Sequence, residues 1–344
     1  MIEILYDARW TRNHGIGRLA AELQRQLPNL TPFDSRRRPS HPLDAVLLGA
    51  ALWRLRPKLF FSPGGNPPIG WPGRFVFTLC DLNLLCVSEN SNSVKRAYYN
   101  QVIKPACHRA ASVLTISEYS KREICNWAGI AEEKVVNVSC AVGPPFVPSG
   151  GKYNPGYPYL LYVGNRKAHK NLPRLLEAYS MAGVRQDVKL VLSGQADKPV
   201  SEEIRCLGLQ GDVQFLPLPS DVDLSDAYRG AIGLVFPSFY EGFGLPPLEA
   251  MACGTPVLTS NVCSIPEVVG DAALLINPFD VEAISGGIKR LVRDDSLREA
   301  MREKGLVRVN KFSWEETARR TWAVLRMAGA VDPEGRMATE RAGS

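Results

Sequence analysis

Residues 231–260 read AIGLVFPSFYEGFGLPPLEAMACGTPVLTS. An apolar run (AIGLVFP, 231–237) ends in a glycine-rich turn at Glu241-Gly242-Phe243-Gly244-Leu245, a helix-compatible segment spans 247–253, and PVLTS (256–260) is apolar again. Continuous apolar strands separated by helices imply a parallel sheet covered on both faces. Pro246-Pro247 suits a helix start, where a missing N–H costs nothing. A glycine-rich turn feeding a helix presents unpaired N–H groups and the positive end of a dipole, the combination that holds phosphate. Glu249 stands eight positions after Glu241. Read as lying in the first helical turn, it is expected to face the same cavity as Glu241. Two carboxylates are poor phosphate ligands but good acceptors for sugar and ribose hydroxyls. The plainer alternative is a turn followed by a capping glutamate.

The same alternation runs outward in both directions. In the second half, strands are expected at 159–164, 188–194, 212–216 and 272–277, with helices at 171–182, 201–208, 223–230 and 280–293. In the first half, strands are expected at 2–8, 58–62, 74–79, 112–117 and 134–139, with helices at 16–27, 94–110 and 119–128. Between Ser139 and Tyr159 glycine and proline crowd the chain, which reads as an interdomain linker. The expectation is α/β: two doubly wound, Rossmann-like domains facing a cleft, over 1–150 and 151–312. A C-terminal helix and tail follow over 313–344, the helix a candidate to return to the first domain.

Composition narrows the classes. The 344 residues are 45% hydrophobic and 22% charged, which excludes a disordered or fibrous chain. The opening MIEILYD has strand character without a basic, apolar-cored leader pattern. The longest nearly unbroken apolar run, Ala45–Trp53, falls far short of the ~20 residues that span a bilayer. None of the eight cysteines forms a C-x-x-C pair, so reduced, mostly buried thiols are expected and no disulfide framework. Residues 1–150 carry 18 Lys+Arg against 11 Asp+Glu, whereas residues 151–344 carry 23 against 24. The excess positive charge, Arg36-Arg37-Arg38 included, is therefore confined to the first half and suits an anionic partner. No nucleic-acid motif accompanies it.

Two further loops carry candidate chemistry. Gly164-Asn165-Arg166-Lys167-Ala168-His169-Lys170-Asn171 follows strand YLLYV and puts three cations within five residues, which suits a diphosphate leaving group. Asn13-His14-Gly15-Ile16-Gly17-Arg18 sits between the first strand and helix, but Ala20 occupies the last glycine of a dinucleotide fingerprint, so a dehydrogenase is weakly supported. Asp221-Val222-Asp223 matches a D-x-D metal pattern, yet its place before a helix reads as N-capping by Asp, and no metal is inferred.

Three stretches, YVGNRKAHKNLPRLLEAY, FLPLPSDVDLSDAYRGA and FPSFYEGFGLPPLEAMACGTPVLTSNVCSIPEVVGDAALLINPFD, resemble glycosyltransferase family 4, as do VLTISEYSKREI and the GIGR loop. The likeness covers nearly the whole chain and is tightest over 159–290. It implies a retaining enzyme of the GT-B fold, with an acceptor-side first domain and a nucleotide-sugar-binding second domain. It also implies roles by position. Arg166 and Lys170 would hold the donor diphosphate, and Glu241 the sugar hydroxyls. The amides of Gly242, Phe243, Gly244 and Leu245 would meet sugar and phosphate, Glu249 the ribose, and Leu216 the base. In the first domain Gly15 and Gly17 would approach the diphosphate, with Ser117 at the cleft. Many relatives carry His-Asp where this chain has Cys80-Asp81. A thiol is a weak hydrogen-bond partner, so that role passes to Asp81 or His14, or is dispensable.

The expected function is hexose transfer, mannose by preference, from a nucleoside-diphosphate sugar to a glycan or lipid-linked acceptor of bacterial surface polysaccharide. GDP-mannose is the preferred donor, and neither metal nor other cofactor is expected. The alternatives are a UDP-dependent glucosyl- or N-acetylhexosaminyl-transferase and a catalytically silent nucleotide-sugar-binding subunit. A cytoplasmic protein is expected, with the basic first half, Arg36–Arg38 above all, touching an anionic membrane peripherally.

Overall fold

The computed structural model describes residues 3–11, 15–35, 39, 41, 43–218 and 220–329. Asn13, His14, Arg36–Arg38 and the tail from residue 330 lie outside the described residues. The chain divides into two compact units. One holds residues up to Cys140 together with the helix from Trp314, and the other holds Ala141–Ser313.

Six strands form the first unit's sheet: β1 (Ile4–Asp7), β2 (Leu30–Phe33), β3 (Leu59–Ser62), β4 (Arg74–Thr78), β5 (Ser112–Thr115) and β6 (Val135–Asn137). Their order is β2-β1-β3-β4-β5-β6, and every pair is parallel. β1 and β3 are buried at every position. Parallel strands covered by helices on both faces must bury both sets of side chains, which is why they read as unbroken apolar runs. β2 was not expected from the sequence. Its LTPF leaves Thr31 and Pro32 exposed, and its edge position explains how a strand with a proline escapes the apolar pattern.

The run around Ala45–Trp53 is a helix, Asp44–Leu55, that buries Ala45, Leu48, Gly49 and Leu52. A buried polar cluster fixes where it starts. Arg9 donates from Nε to Asp7 at 2.6 Å and from Nη1 to Asp44 at 2.6 Å, while Asn66 donates to the other oxygen of Asp44. Tyr98 donates in turn to Asn66. Burial pushes the Asp7 carboxyl upward, and Arg9 opposes that shift. The cluster joins the end of β1, the head of the helix and the loop after β3. The C-terminal helix Trp314–Met327 belongs to this unit and packs on the helix Gly15–Gln26.

The second unit repeats the plan with β7 (Tyr159–Tyr162), β8 (Lys189–Ser193), β9 (Val213–Leu216), β10 (Gly233–Phe236), β11 (Val257–Ser260) and β12 (Leu274–Ile276). The order is β12-β11-β10-β7-β8-β9, again all parallel. This is the doubly wound dinucleotide-fold order, with its reversal between β7 and β10. Its core draws on Leu160, Leu175, Leu190, Val235, Leu258 and Ile288. Residues 139–158, between the units' last and first strands, form neither helix nor strand.

All eight cysteines are free. Cys107, Cys125, Cys140 and Cys253 are buried, but Cys86 and Cys206 are exposed, so the expectation of mostly buried thiols holds for only half of them. No helix among the described residues is long and apolar enough to cross a membrane.

Gly49 tests the packing of the helix Asp44–Leu55. A Cβ there would collide with the backbone carbonyl of Ile69. Alanine is intrinsically better in a helix by about 1 kcal/mol, but a backbone clash in a packed contact costs more. Gly49→Ala is expected to destabilise the chain by about 1–3 kcal/mol in denaturant titration. A stabilised variant would show that Ile69 moves freely.

Candidate active site

From β7 the chain winds outward through β8 and β9, then returns to the other side of β7 with β10. Successive loops leave in opposite directions at that point, opening a crevice beyond the carboxyl ends of β7 and β10. The two loops there are the cationic 163–171 and the glycine-rich 237–244 singled out from the sequence.

Lys170 from the first loop reaches Glu241 of the second at 2.6 Å, each side chain 12% exposed. The Lys170 ammonium also lies 4.9 Å from the centre of the Phe236 ring. An ion pair this buried loses hydration roughly equal to what attraction returns, so it adds little stability. What it does is place a cation and a carboxylate at the crevice, each already compensated. Arg166 points toward β8 and β9. Its Nη2 donates to the Ser193 carbonyl at 3.0 Å and its Nε to Asp197 at 3.2 Å, while its buried Nη1 finds no partner. Lys167 is exposed. His169 is buried, and burial, opposed by Glu241, pushes its imidazole down to about 4. It is therefore neutral at physiological pH.

The glycine-rich loop is held by its carbonyls. Thr259 donates to Phe236 O at 2.8 Å, Asn171 to Pro237 O at 2.9 Å, Ser260 to Ser238 O, and the Cys263 thiol to Phe239 O at 3.6 Å. Ser264 Oγ lies 2.8 Å from Glu241 O and 3.0 Å from Phe243 O, so its single proton serves both carbonyls. These oxygens are committed to side-chain donors, and the Phe239 amide is committed to His169 O at 2.9 Å. Phe243, Gly244 and Leu245 lead into the helix Leu245–Ala252, where Pro246 and Pro247 carry no N–H and the Leu248 amide reaches Gly244 O, so the amides of 243–245 are those the turn has to offer. Gly244 has φ +105°, and a Cβ there would strike Ile265, so the turn requires glycine on both counts. The hydroxyl run Thr259, Ser260 and Ser264 was missed in the sequence. Its signal is the placement of small hydroxyls directly after an apolar strand, at the sheet edge where ligands bind.

Glu249 differs from expectation. It is the fifth helical residue, in the second turn, because the helix begins at Leu245 rather than 247. It is 4% exposed and accepts the Tyr228 hydroxyl at 3.0 Å. Glu241 and Glu249 thus have separate partners. Leu216 ends β9, with its carbonyl accepting the Gly194 amide at 2.8 Å. At Asp221-Val222-Asp223 the cap is Ser220, not Asp. Ser220 Oγ accepts the Asp223 amide at 3.2 Å, and both aspartates lie in the first turn of the helix Asp221–Gly230.

The first unit's candidates all follow carboxyl ends of strands. Gly15 and Gly17 lie in the opening turn of the helix Gly15–Gln26 rather than in a loop before it. Asp81 follows β4 and accepts the Asn83 amide at 2.9 Å. Ser117 follows β5, is buried, and caps the helix Glu118–Ala128 by accepting the Ser120 amide at 3.0 Å. Burial raises the Cys80 thiol well above its ordinary value, so it stays protonated.

A doubly wound second unit with a cation–carboxylate pair and a glycine-rich turn into a helix at its switch point defines a nucleotide-binding α/β protein, and with the first unit the GT-B architecture. Residues 149–308 match the family of glycosyl transferases group 1. The chain is 35% identical over 262 residues to O-antigen chain mannosyltransferase B of Escherichia coli, covering 72% of this chain and 69% of that protein. The chain belongs to this glycosyltransferase family. It is also 33% identical to the serotype-specific mannosyltransferase WbdA of Escherichia coli over 61% of its length, though the match spans 28% of WbdA. Anabaena HepE, solved with UDP and glucose, superposes with a TM-score of 0.74 at 16% identity, covering 95% of this chain and all of that one.

Ser264 shares its one proton between two carbonyls of the loop, and Ser264→Ala removes that donor. A buried acceptor left unpaired costs about 1–3 kcal/mol, and part of that falls on the loop's ligand-ready shape. Nucleoside-diphosphate affinity measured by calorimetry is expected to fall on the order of tenfold. Unchanged affinity would show that the other anchors hold the loop unaided.

Proposed function

We propose that this chain transfers mannose from GDP-mannose to a glycan or lipid-linked acceptor in bacterial surface polysaccharide synthesis, with retention at the anomeric carbon. The names of the two mannosyltransferase relatives support the sugar and the setting. The observation that carries the site is the Lys170–Glu241 pair spanning the two switch-point loops. On arrival of the donor, Lys170 turns to the diphosphate and Glu241 accepts sugar hydroxyls, so the cation keeps an anionic partner and the carboxylate keeps hydrogen-bond donors. Arg166, once turned from Asp197, and the amides of Phe243, Gly244 and Leu245 meet the remaining phosphate oxygens. Glu249 accepts ribose hydroxyls by giving up Tyr228, and Leu216 lies against the base.

In the reaction the bond from the sugar's anomeric carbon to the phosphate oxygen breaks, and its electron pair leaves with the diphosphate. The acceptor oxygen bonds to the same carbon on the same face, and its proton passes to the departing phosphate. Arg166, Lys170 and the helix amides stabilise the growing negative charge, which is the largest lever such a site has. Metal independence belongs to this reading, and it is supported by the Asp223 carboxylate accepting the Ser220 hydroxyl in the first turn of a helix. Peripheral contact with an anionic membrane, through the basic first half, would bring the enzyme to a lipid-linked acceptor.

Incubation with GDP- and UDP-sugars, followed by NMR of the product anomer, tests the reading directly. GDP-mannose is expected to turn over, with product of the donor's own anomeric configuration, and activity is expected to survive a chelator. Inverted product, or activity lost on chelation and restored by manganese, would overturn the corresponding part.

The two glutamates are expected to separate kinetically. Glu241→Ala should lower kcat by about 100-fold or more, as loss of a group at the reacting sugar does. Glu249→Ala should raise the donor KM about tenfold with kcat little changed, as loss of a charged hydrogen bond made equally in ground and transition states does. Wild-type activity in Glu241→Ala would remove Glu241 from the reaction.

A further inference from the structure

Asn171 holds more than the glycine-rich loop. It lies in the left-handed region at φ +60°, 1% exposed, directly after Lys170. Its Nδ2 donates to Pro237 O at 2.9 Å and to Pro278 O at 2.7 Å, and its Oδ1 accepts Arg174 Nη1 at 3.0 Å. One side-chain amide therefore ties together the loops that leave β7, β10 and β12. Above the tie, Phe239 from the loop after β10 meets Phe279 from the loop after β12. Their ring centres are 5.8 Å apart and their planes 33° from parallel. Phe279 is 56% exposed and Phe239 is half-buried.

A single exposed phenylalanine is ordinary. This pair differs in standing on fixed backbone. The Phe239 amide donates to His169 O at 2.9 Å, and its carbonyl accepts the Cys263 thiol at 3.6 Å. The Phe279 amide donates to Asn277 Oδ1 at 3.1 Å. Two rings held this way make a small, rigid apolar platform at the carboxyl edge of the sheet, on one of the two crevice loops. Exposed Asn277 and Asp280 stand on either side of Phe279 in the chain.

Size, chemistry and position select the occupant. Two rings cover far less than the roughly 800 Å² that each partner gives a stable protein interface. A pyranose ring matches them in size and character. Its C–H face carries weak positive charge and the aromatic face weak negative charge. Its hydroxyls need hydrogen-bonding groups at the rim, such as the Asn277 amide and the Asp280 carboxylate. Phe239 is two residues from Glu241, at most about 7 Å along the chain. A glycan whose end reaches the sugar at Glu241 has its next rings within reach of this platform.

We propose that Phe239 and Phe279 form a subsite that stacks an inner pyranose ring of the glycan acceptor, behind the ring that receives the transferred sugar. The proposal rests on the reading of this chain as a mannosyltransferase acting on a glycan, and it gives part of that acceptor a place on the second unit.

The test pairs binding with kinetics on the full chain. Binding of α-linked mannotriose without donor is followed by NMR titration, and mannotriose is compared with methyl α-mannoside as acceptor of mannose from GDP-mannose. The wild type is expected to bind mannotriose and to prefer it as acceptor. Phe279→Ala, at an exposed position, should weaken mannotriose binding about five- to tenfold and raise its KM by that factor relative to the KM of methyl mannoside. Phe279→Trp should restore the preference, which a merely structural role would not predict. A wild type that binds no mannotriose, or a Phe279→Ala loss equal for both acceptors, would overturn the subsite and leave the transfer reading in place if GDP-mannose still turns over. Mannotriose binding that depends on Phe279 in a chain that turns over no GDP-mannose would keep the subsite and overturn the donor reading.

Discussion

The reversal of strand order between β7 and β10 is the constraint from which the second unit's chemistry follows. In a parallel sheet every strand delivers its carboxyl end to the same edge, and helices close both faces, so only where winding direction changes do neighbouring loops part. Lys170 and Glu241 come from those two loops, 71 positions apart in sequence, and meet at 2.6 Å. A crossover placed elsewhere would leave both residue types in the chain and separate them in space. The ion pair is therefore a consequence of topology before it is a feature of the site.

That pair would be of little use on a loop free to turn its carbonyls outward. A peptide group presents a donor and an acceptor at opposite ends, and an anion is repelled by the second as strongly as it is held by the first. Four side chains from 259–264, with Asn171 from the opposite loop, fix the acceptors at six positions of 236–243. Each such bond contributes only about 1 kcal/mol net to folding. Their larger effect is to set the orientation of the peptide groups, which is what preorganisation means at an anion site. Gly244 completes the arrangement, since its φ of +105° and the nearby Ile265 admit no side chain.

Much of this was legible in the sequence, and the reasons for the gaps are physical. Buried parallel strands must be apolar throughout, so β3, β4, β7, β8 and β10 announce themselves within a residue or two of their ends. β2 does not, because an edge strand with one solvated side is free to carry Thr31 and Pro32. The glycine-rich turn and the cationic loop were legible because few other reasons exist to place such residues after a strand. Glu249 was assigned to the wrong turn because Leu245, not Pro247, opens the helix, and a two-residue error in a helix start rotates a side chain by more than half a turn. The pairing of Glu241 with Lys170 had no local signal at all, since it depends on strand order rather than on spacing. Ser220 took the cap assigned to Asp221 for a similar reason: Ser and Asp are equally good caps, and only the backbone decides between neighbours.

The first unit reaches a different outcome with the same architecture. Its order β2-β1-β3-β4-β5-β6 also has a switch point, between β1 and β3. Beyond those strand ends sits the cluster of Asp7, Arg9, Asp44 and Asn66, buried to within a few per cent. An arginine clamped bidentately by two carboxylates in a dry site has four of its five N–H groups committed, and removing it would leave two buried carboxylates without their counter-ion. The cluster's effect is mechanical: Asp44 is the first residue of the helix Asp44–Leu55, so fixing its carboxylate fixes the helix's entry and, with Gly49 against Ile69, its rotation. Rotation decides which side chains face out. Had the helix turned by a third of a revolution, Leu48 and Leu52 would be solvated and the core short of two leucines. Leu43, Val46, Leu47 and Trp53, all exposed, are thus not slack packing but the remainder left after the inner face is satisfied, held outward by the polar cluster at the helix's head.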